Sequence, residues 1–161
     1  MVVLIMALAE PLAANSLPDP PTDVELLLVG HGPYSEALAE TLPDAIFTGY
    51  LRGKDLAAAY ASADVFAFPS TTDTFGNVII EAQASGVPVI VSDSGGPKEL
   101  VENNRNGLIT KSHDVEDLTR AIRELVADPE RRKRMGDLAR ESVIDRTWPT
   151  AFRKFWAVTE V

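Results

Sequence analysis

The chain has 161 residues, 45% of them hydrophobic and 24% charged, with a formal net charge of −9. This length suits one domain with a full core, and the composition is that of a folded globular chain rather than a disordered one. Cysteine is absent and only His31 and His113 offer imidazole, which excludes disulfides and thiolate metal sites and argues against a zinc enzyme, while 3 basic against 13 acidic residues in 1–100 disfavour a nucleic-acid backbone as partner.

The opening run MVVLIMALAE is apolar, lacks a basic flank and is too short to span a bilayer. It reads as a buried helix over residues 1–14, the alternative being a signal peptide ending near Ala7 to Ala9. The proline-rich NSLPDPPTD that follows cannot be helical and reads as a surface connection.

Beyond it, apolar runs alternate with stretches of helical period, the pattern of repeated strand and helix units. The strands expected are Val24 to Val29, Ala45 to Thr48, Val65 to Phe68, Val87 to Val91 and Gly107 to Thr110. The intervening helices are Tyr34 to Leu42, Lys54 to Ala63, Gly76 to Ser85 and Pro97 to Asn103. Strands that are apolar nearly throughout, such as VELLLVG and VPVIVSD, predict a mostly parallel sheet covered by helices on both faces, a Rossmann-like, doubly wound α/β fold.

From Asp114 the pattern is helical only. Val115, Leu118, Ile122, Leu125 and Val126 form one stripe, with Asp114 placed as the cap and Asp117 assisting it. Pro129 separates this helix from one over 130–144. Its basic run, Arg131 to Arg134, reads as a solvated face, with membrane-surface contact as the alternative. A last amphipathic helix carries Trp148, Phe152, Phe155 and Trp156, an aromatic set that asks for a partner surface. The whole is expected to be one domain over 1–161: an irregular or truncated front edge (1–23), an α/β core (24–113) and C-terminal helices (114–161).

In a doubly wound sheet, ligands bind at the carboxyl ends of strands, so the loops after strands are the candidate site. The turn containing Gly30 and Gly32 permits close backbone approach but suits an ordinary strand-to-helix turn equally well. The same two readings hold for Gly49, Tyr50 and Leu51, whose backbone could hold a base. The richest loop is Asp73-Thr74-Phe75-Gly76-Asn77-Val78. A helix starting near Gly76 presents unpaired N–H groups to a phosphate, and the carboxylates of Asp73 and Glu81 could bind sugar hydroxyls. The plain alternative is that Asp73 caps the helix and Glu81 is a surface residue. Gly95 and Gly96 read as backbone devices that could flank the cleft, and Gly107 as a purely structural glycine.

The run FPSTTDTFGNVIIEAQASGVPVIVSDSGGPKELV resembles the donor-binding region of the family 4 retaining glycosyltransferases (glycosyl transferases group 1). Their pattern of two acids separated by seven residues, then small residues, glycine and Pro-Val, appears as Asp73, Glu81, Ala82, Ala84, Gly86, Pro88 and Val89. The likeness continues through Gly95-Gly96, Glu99 and Asn106-Gly107-Leu108 to DPERRKRMGDLAR and Trp148, and backward to Gly30 and Gly49.

The resemblance implies the C-terminal, nucleotide-sugar-binding half of a GT-B fold, acting as a hexosyltransferase with retention and needing neither metal nor other cofactor. Asp73 and Glu81 would stand at the catalytic centre, Glu81 on the ribose and Asp73 on a donor-sugar hydroxyl. Phe75, Gly76, Asn77 and Val78 would offer backbone contacts to sugar and diphosphate, and the Gly49 to Leu51 loop would hold the base. The family usually places Glu where this chain has the shorter Asp73.

The implied partners are a nucleotide sugar and an N-terminal acceptor domain, or a separate chain supplying it. Nucleic acid is not among them, peripheral membrane contact of the full enzyme is possible, and the expected location is cytoplasmic. The family's diphosphate-clamping Arg and Lys have no counterpart, since no basic residue precedes Arg52. The isolated chain is therefore expected to be inactive and to bind nucleotide weakly. Two other readings are a stand-alone nucleotide-binding or regulatory module and a fragment of a nucleotide-sugar epimerase.

Overall fold

The computed structural model describes residues 2–7 and 24–159. Six strands form one sheet: β1 (Val2–Ala7), β2 (Val24–Val29), β3 (Ile46–Gly49), β4 (Val65–Phe68), β5 (Val89–Ser92) and β6 (Gly107–Thr110). Their order is β3-β2-β1-β4-β5-β6, with every neighbouring pair parallel. This is the doubly wound order, in which the direction of winding reverses between β1 and β4.

The helix expected over residues 1–14 is therefore corrected where it can be described. Val2–Ala7 is the central strand, in register with β2 from Val2↔Val24 to Ala7↔Val29. A strand at the sheet centre is covered on both faces, so it must be apolar throughout and shows no alternation. VVLIMA meets that demand, and its three β-branched residues favour a strand. The rest of the expected helix and the proline-rich connection lie outside the described residues.

Helices α1 (Ser35–Thr41), α2 (Gly53–Ser62) and α3 (Asn77–Ala84) follow β2, β3 and β4. The helix expected at Pro97 to Asn103 is only a 3₁₀ turn, Pro97–Leu100. The Leu100 carbonyl accepts instead from the side-chain amides of Gln83 (3.0 Å) and Asn106 (3.4 Å), and Val101 turns extended and is buried. α4 (Val115–Ala127) starts at Asp114, whose Oδ1 accepts from the Asp117 N–H at 3.0 Å. α5 (Pro129–Val143) starts at Asp128, which accepts from the Arg131 N–H at 2.9 Å, with proline in the first turn where no donor is needed. α6 spans Trp148–Thr159.

Side-chain alternation divides the core between the two faces of the sheet. Val65, Ala67 and Ile90 point to the face covered by Leu118, Ala121, Leu125 and Met135 of α4 and α5. Phe66, Phe68, Val89 and Val91 point to the other, against Ala59 and Tyr60 of α2 and Ile79 and Ala82 of α3. The helices therefore do cover both faces.

The basic run at the start of α5 is mostly engaged within the molecule. Arg131 pairs with Glu124 and donates to Asn104 Oδ1 at 2.9 Å. Arg132 donates to the last carbonyls of α4, Leu125 (2.8 Å) and Val126 (3.2 Å), and pairs with Asp64 at 3.3 Å. Lys133 pairs with Asp137 at 3.0 Å. In contrast, Phe152, Phe155 and Trp156 of α6 are 60%, 63% and 56% exposed and contact one another, with ring centroids 6.3 Å (Phe152 to Trp156) and 5.7 Å (Phe155 to Trp156) apart.

Candidate functional site

The reversal of winding between β1 and β4 opens a crevice at the carboxyl end of the sheet. The loop that enters it runs from Pro69 to Gly76 between β4 and α3 and carries Asp73. Gly76 is the helix N-cap in a left-handed conformation, φ 74° and ψ 48°, which glycine adopts without strain. The Asp73 carboxylate folds back over the same turn: its Oδ1 accepts from the N–H groups of Phe75 at 2.9 Å and Gly76 at 2.6 Å. Asp73 therefore does cap this turn, and two of the N–H groups expected to meet sugar and diphosphate already have an acceptor. The N–H groups of Asn77 and Val78 belong to the first turn of α3, where helical N–H groups have no partner within the helix and the positive end of the helix dipole lies.

The loop after β5 holds this turn in place. The Gly96 N–H donates to the Asp73 carbonyl at 2.9 Å, and Ser92 Oγ donates to the Ser70 carbonyl at 2.5 Å. Gly96 lies so close that a Cβ there would stand 2.0 Å from the Thr74 carbonyl oxygen, and one on Gly95 would stand 2.7 Å from that of Asp73. These two glycines thus form the bed on which the Asp73 loop rests. Asp93, the residue after β5, accepts from the Ser112 N–H at 2.8 Å and from its hydroxyl, which holds its carboxyl below the usual range.

The loops after β2 and β3 meet each other on the far side of β1. The Gly30 N–H donates to the Gly49 carbonyl at 2.9 Å, and the Tyr50 hydroxyl donates to the His31 carbonyl at 3.1 Å. The Gly32 N–H is satisfied locally by Ser35 Oγ at 2.8 Å. Tyr50 is otherwise exposed, and Leu51 packs against the core cluster formed by α2 and α3. The β3 loop therefore folds towards the face that carries α3.

Glu81 lies on α3, exposed, and one of its oxygens has a partner that sequence reasoning did not identify. The hydroxyl of Tyr60, on α2, donates to Glu81 Oε2 at 3.1 Å and lies 3.4 Å from the Val78 carbonyl. Tyr60 is only 5% exposed, its ring edge-on to Phe66 at 5.6 Å. Burial, then the Glu81 charge and hydrogen bond, push its phenol well above the usual range, so it remains a donor. The sequence signal for it was a lone tyrosine in an alanine-rich helix, whose buried hydroxyl needs an acceptor.

An open cavity of about 350 Å³ lined by Glu99, Asn106, Glu141 and Arg146 lies beside the amino-terminal end of β6, away from these loops. It draws on none of the candidate site residues.

Residues 2–128 match the family model described as "Glycosyl transferases group 1". The GDP-mannose-dependent alpha-mannosyltransferase of Mycolicibacterium smegmatis is 48% identical over 128 residues, covering 79% of this chain and 33% of that protein. The chain thus spans about a third of that relative's length. Among solved structures, Anabaena HepE in complex with UDP-glucose superposes with a TM-score of 0.80 at 24% identity, over 97% of this chain and 48% of HepE. The C-terminal domain of a Francisella tularensis group 1 glycosyl transferase, LpcC, matches 88% of this chain and 84% of its own length, with a TM-score of 0.73 at 18% identity. With the parallel order and the loop constellation, these matches place the fold as half of a GT-B enzyme, and the chain belongs to the group 1 glycosyl transferases.

Proposed function

We propose that this chain is the nucleotide-sugar-binding half of a retaining hexosyltransferase, completed by an acceptor domain. The observation that carries the reading is the start of α3 at the reversal of winding, with Asp73 in the turn before it and Glu81 one turn along it. A diphosphate at this helix start would meet the Asn77 and Val78 N–H groups and the positive end of the dipole. The same groups would stabilise the charge that develops on the departing phosphate.

Glu81 would then accept from the ribose hydroxyls, the Gly49 to Leu51 loop would hold the base, and the free oxygen of Asp73 would take a sugar hydroxyl. The mycobacterial relative makes GDP-mannose the first donor to test, and the HepE complex makes UDP-glucose the second. The exposed aromatic face of α6 suits the missing half as its partner.

The test is sugar transfer by the full-length protein to which this chain corresponds. Glu81→Ala should lower kcat/KM for the donor by several-fold to a hundred-fold, the loss of one or two charge-assisted hydrogen bonds at about 1–3 kcal/mol. Unchanged turnover in that variant would remove Glu81 from the site.

A further inference from the structure

Glu81 is an exposed carboxylate on a long side chain, which by itself would sample many rotamers and meet a ribose only part of the time. The structure restricts it. Its Oε2 is held by a hydroxyl whose ring is buried between α2 and the sheet, edge-on to Phe66, so the donor cannot follow the carboxylate if it swings away. The anchor lies on α2, the helix that follows the β3 loop, and α3 carries the anion-binding start. The contact therefore ties together the two elements between which a nucleoside diphosphate would lie.

We infer that Tyr60 is a positioning residue for the donor nucleotide: its hydroxyl holds Oε2 of Glu81 so that Oε1 is presented to the ribose hydroxyls. The inference rests on Glu81 being the ribose ligand. Because the hydroxyl stays protonated, it donates throughout the working range of pH. It occupies one carboxylate oxygen and leaves the other with its full accepting capacity. A preorganised acceptor binds a hydroxyl without first losing its own rotamer freedom, so the benefit appears only with ligands that carry ribose hydroxyls.

The test compares GDP and UDP with their 2′,3′-dideoxy analogues, titrated by NMR into the wild-type chain, Tyr60→Phe and Glu81→Ala. The expected result is that wild type prefers the ribose form by about ten-fold, one charge-assisted hydrogen bond's worth, and that Glu81→Ala abolishes the preference. Tyr60→Phe should lose most of it while binding the dideoxy analogues as wild type does. A structural role would instead weaken both forms alike in Tyr60→Phe, and that outcome overturns the inference.

A Tyr60→Phe variant that keeps the full preference, while Glu81→Ala loses it, also overturns the inference and leaves Glu81 in place as ribose ligand. No preference in wild type, or an unchanged preference in Glu81→Ala, overturns the assignment of Glu81 and the inference with it. A measurement on wild type alone avoids reliance on folded variants. The ring carbon bearing the Tyr60 hydroxyl should shift with the ribose nucleotides and stay still with the dideoxy forms, and equal shifts with both would count against the positioning role.

Discussion

The Gly96 N–H donates to the Asp73 carbonyl at 2.9 Å, so the loop after β5 carries the loop that holds the candidate site. Contact this close leaves no room for a side chain: a Cβ on Gly96 would meet the Thr74 carbonyl at 2.0 Å, and the obstacle is backbone. Gly96→Ala should therefore destabilise the fold by about 1–3 kcal/mol or more, the cost of overpacking against an atom that cannot rotate away. Gly32→Ala meets nothing within 4 Å and should stay within about 0.5 kcal/mol of wild type. Urea unfolding of both variants checks the contrast.

Asp73 has two separable roles, since Oδ1 holds the turn and its other oxygen is left for a ligand. Asp73→Ala should cost about 1–2 kcal/mol of stability, because it leaves the Phe75 and Gly76 N–H groups of the turn without their acceptor. Asp73→Asn keeps an acceptor and should unfold close to wild type, yet its neutral amide should bind a sugar hydroxyl less well. Denaturation and donor titration of the same two variants would show whether stability and binding part in this way.

The buried phenol of Tyr60 gives a stability effect with a defined sign. Its folded-state value is raised, mainly by burial and then by Glu81, so the unfolded chain releases this proton first as pH rises. The contribution is fully present below the unfolded value of about 10 and is lost progressively above it. Thermal unfolding followed upward from that pH should show a decline that is shallower in Tyr60→Phe, and equal slopes would mean that the phenol is not buried against a carboxylate.

Much of this architecture is legible in the sequence because runs that are apolar nearly throughout, such as VELLLV and VFAF, suit a buried parallel strand. Gly-Pro punctuation, the acid at 114 and Pro129 also mark where elements begin. VVLIMA reads as helix because a short run that is apolar throughout has no period to separate strand from helix, and only its place at the sheet centre decides. The helix expected at Pro97 is shorter in the structure because the partners of the Leu100 carbonyl come from Gln83 and Asn106, distant in sequence or beyond the segment.

The same limit governs the site. Local spacing marks Asp73, Gly76 and Glu81, but the bond from Tyr60 to Glu81 spans 21 positions and exists only once α2 and α3 lie side by side. Arg132 is similar: within the run RRKR it is indistinguishable from its neighbours, yet its side chain is 13% exposed and closes the end of α4.

The central claim, that a nucleoside diphosphate seats at the start of α3 with its base on the β3 loop, is tested most directly by amide shift mapping of the wild-type chain during titration with GDP and UDP. The account predicts shifts confined to Gly49–Leu51, Gly76–Val78 and the surroundings of Glu81. It also predicts weak affinity, because no basic residue precedes Arg52 to clamp the diphosphate. Shifts centred on the cavity near Glu99 and Arg146, or submicromolar binding, would contradict it.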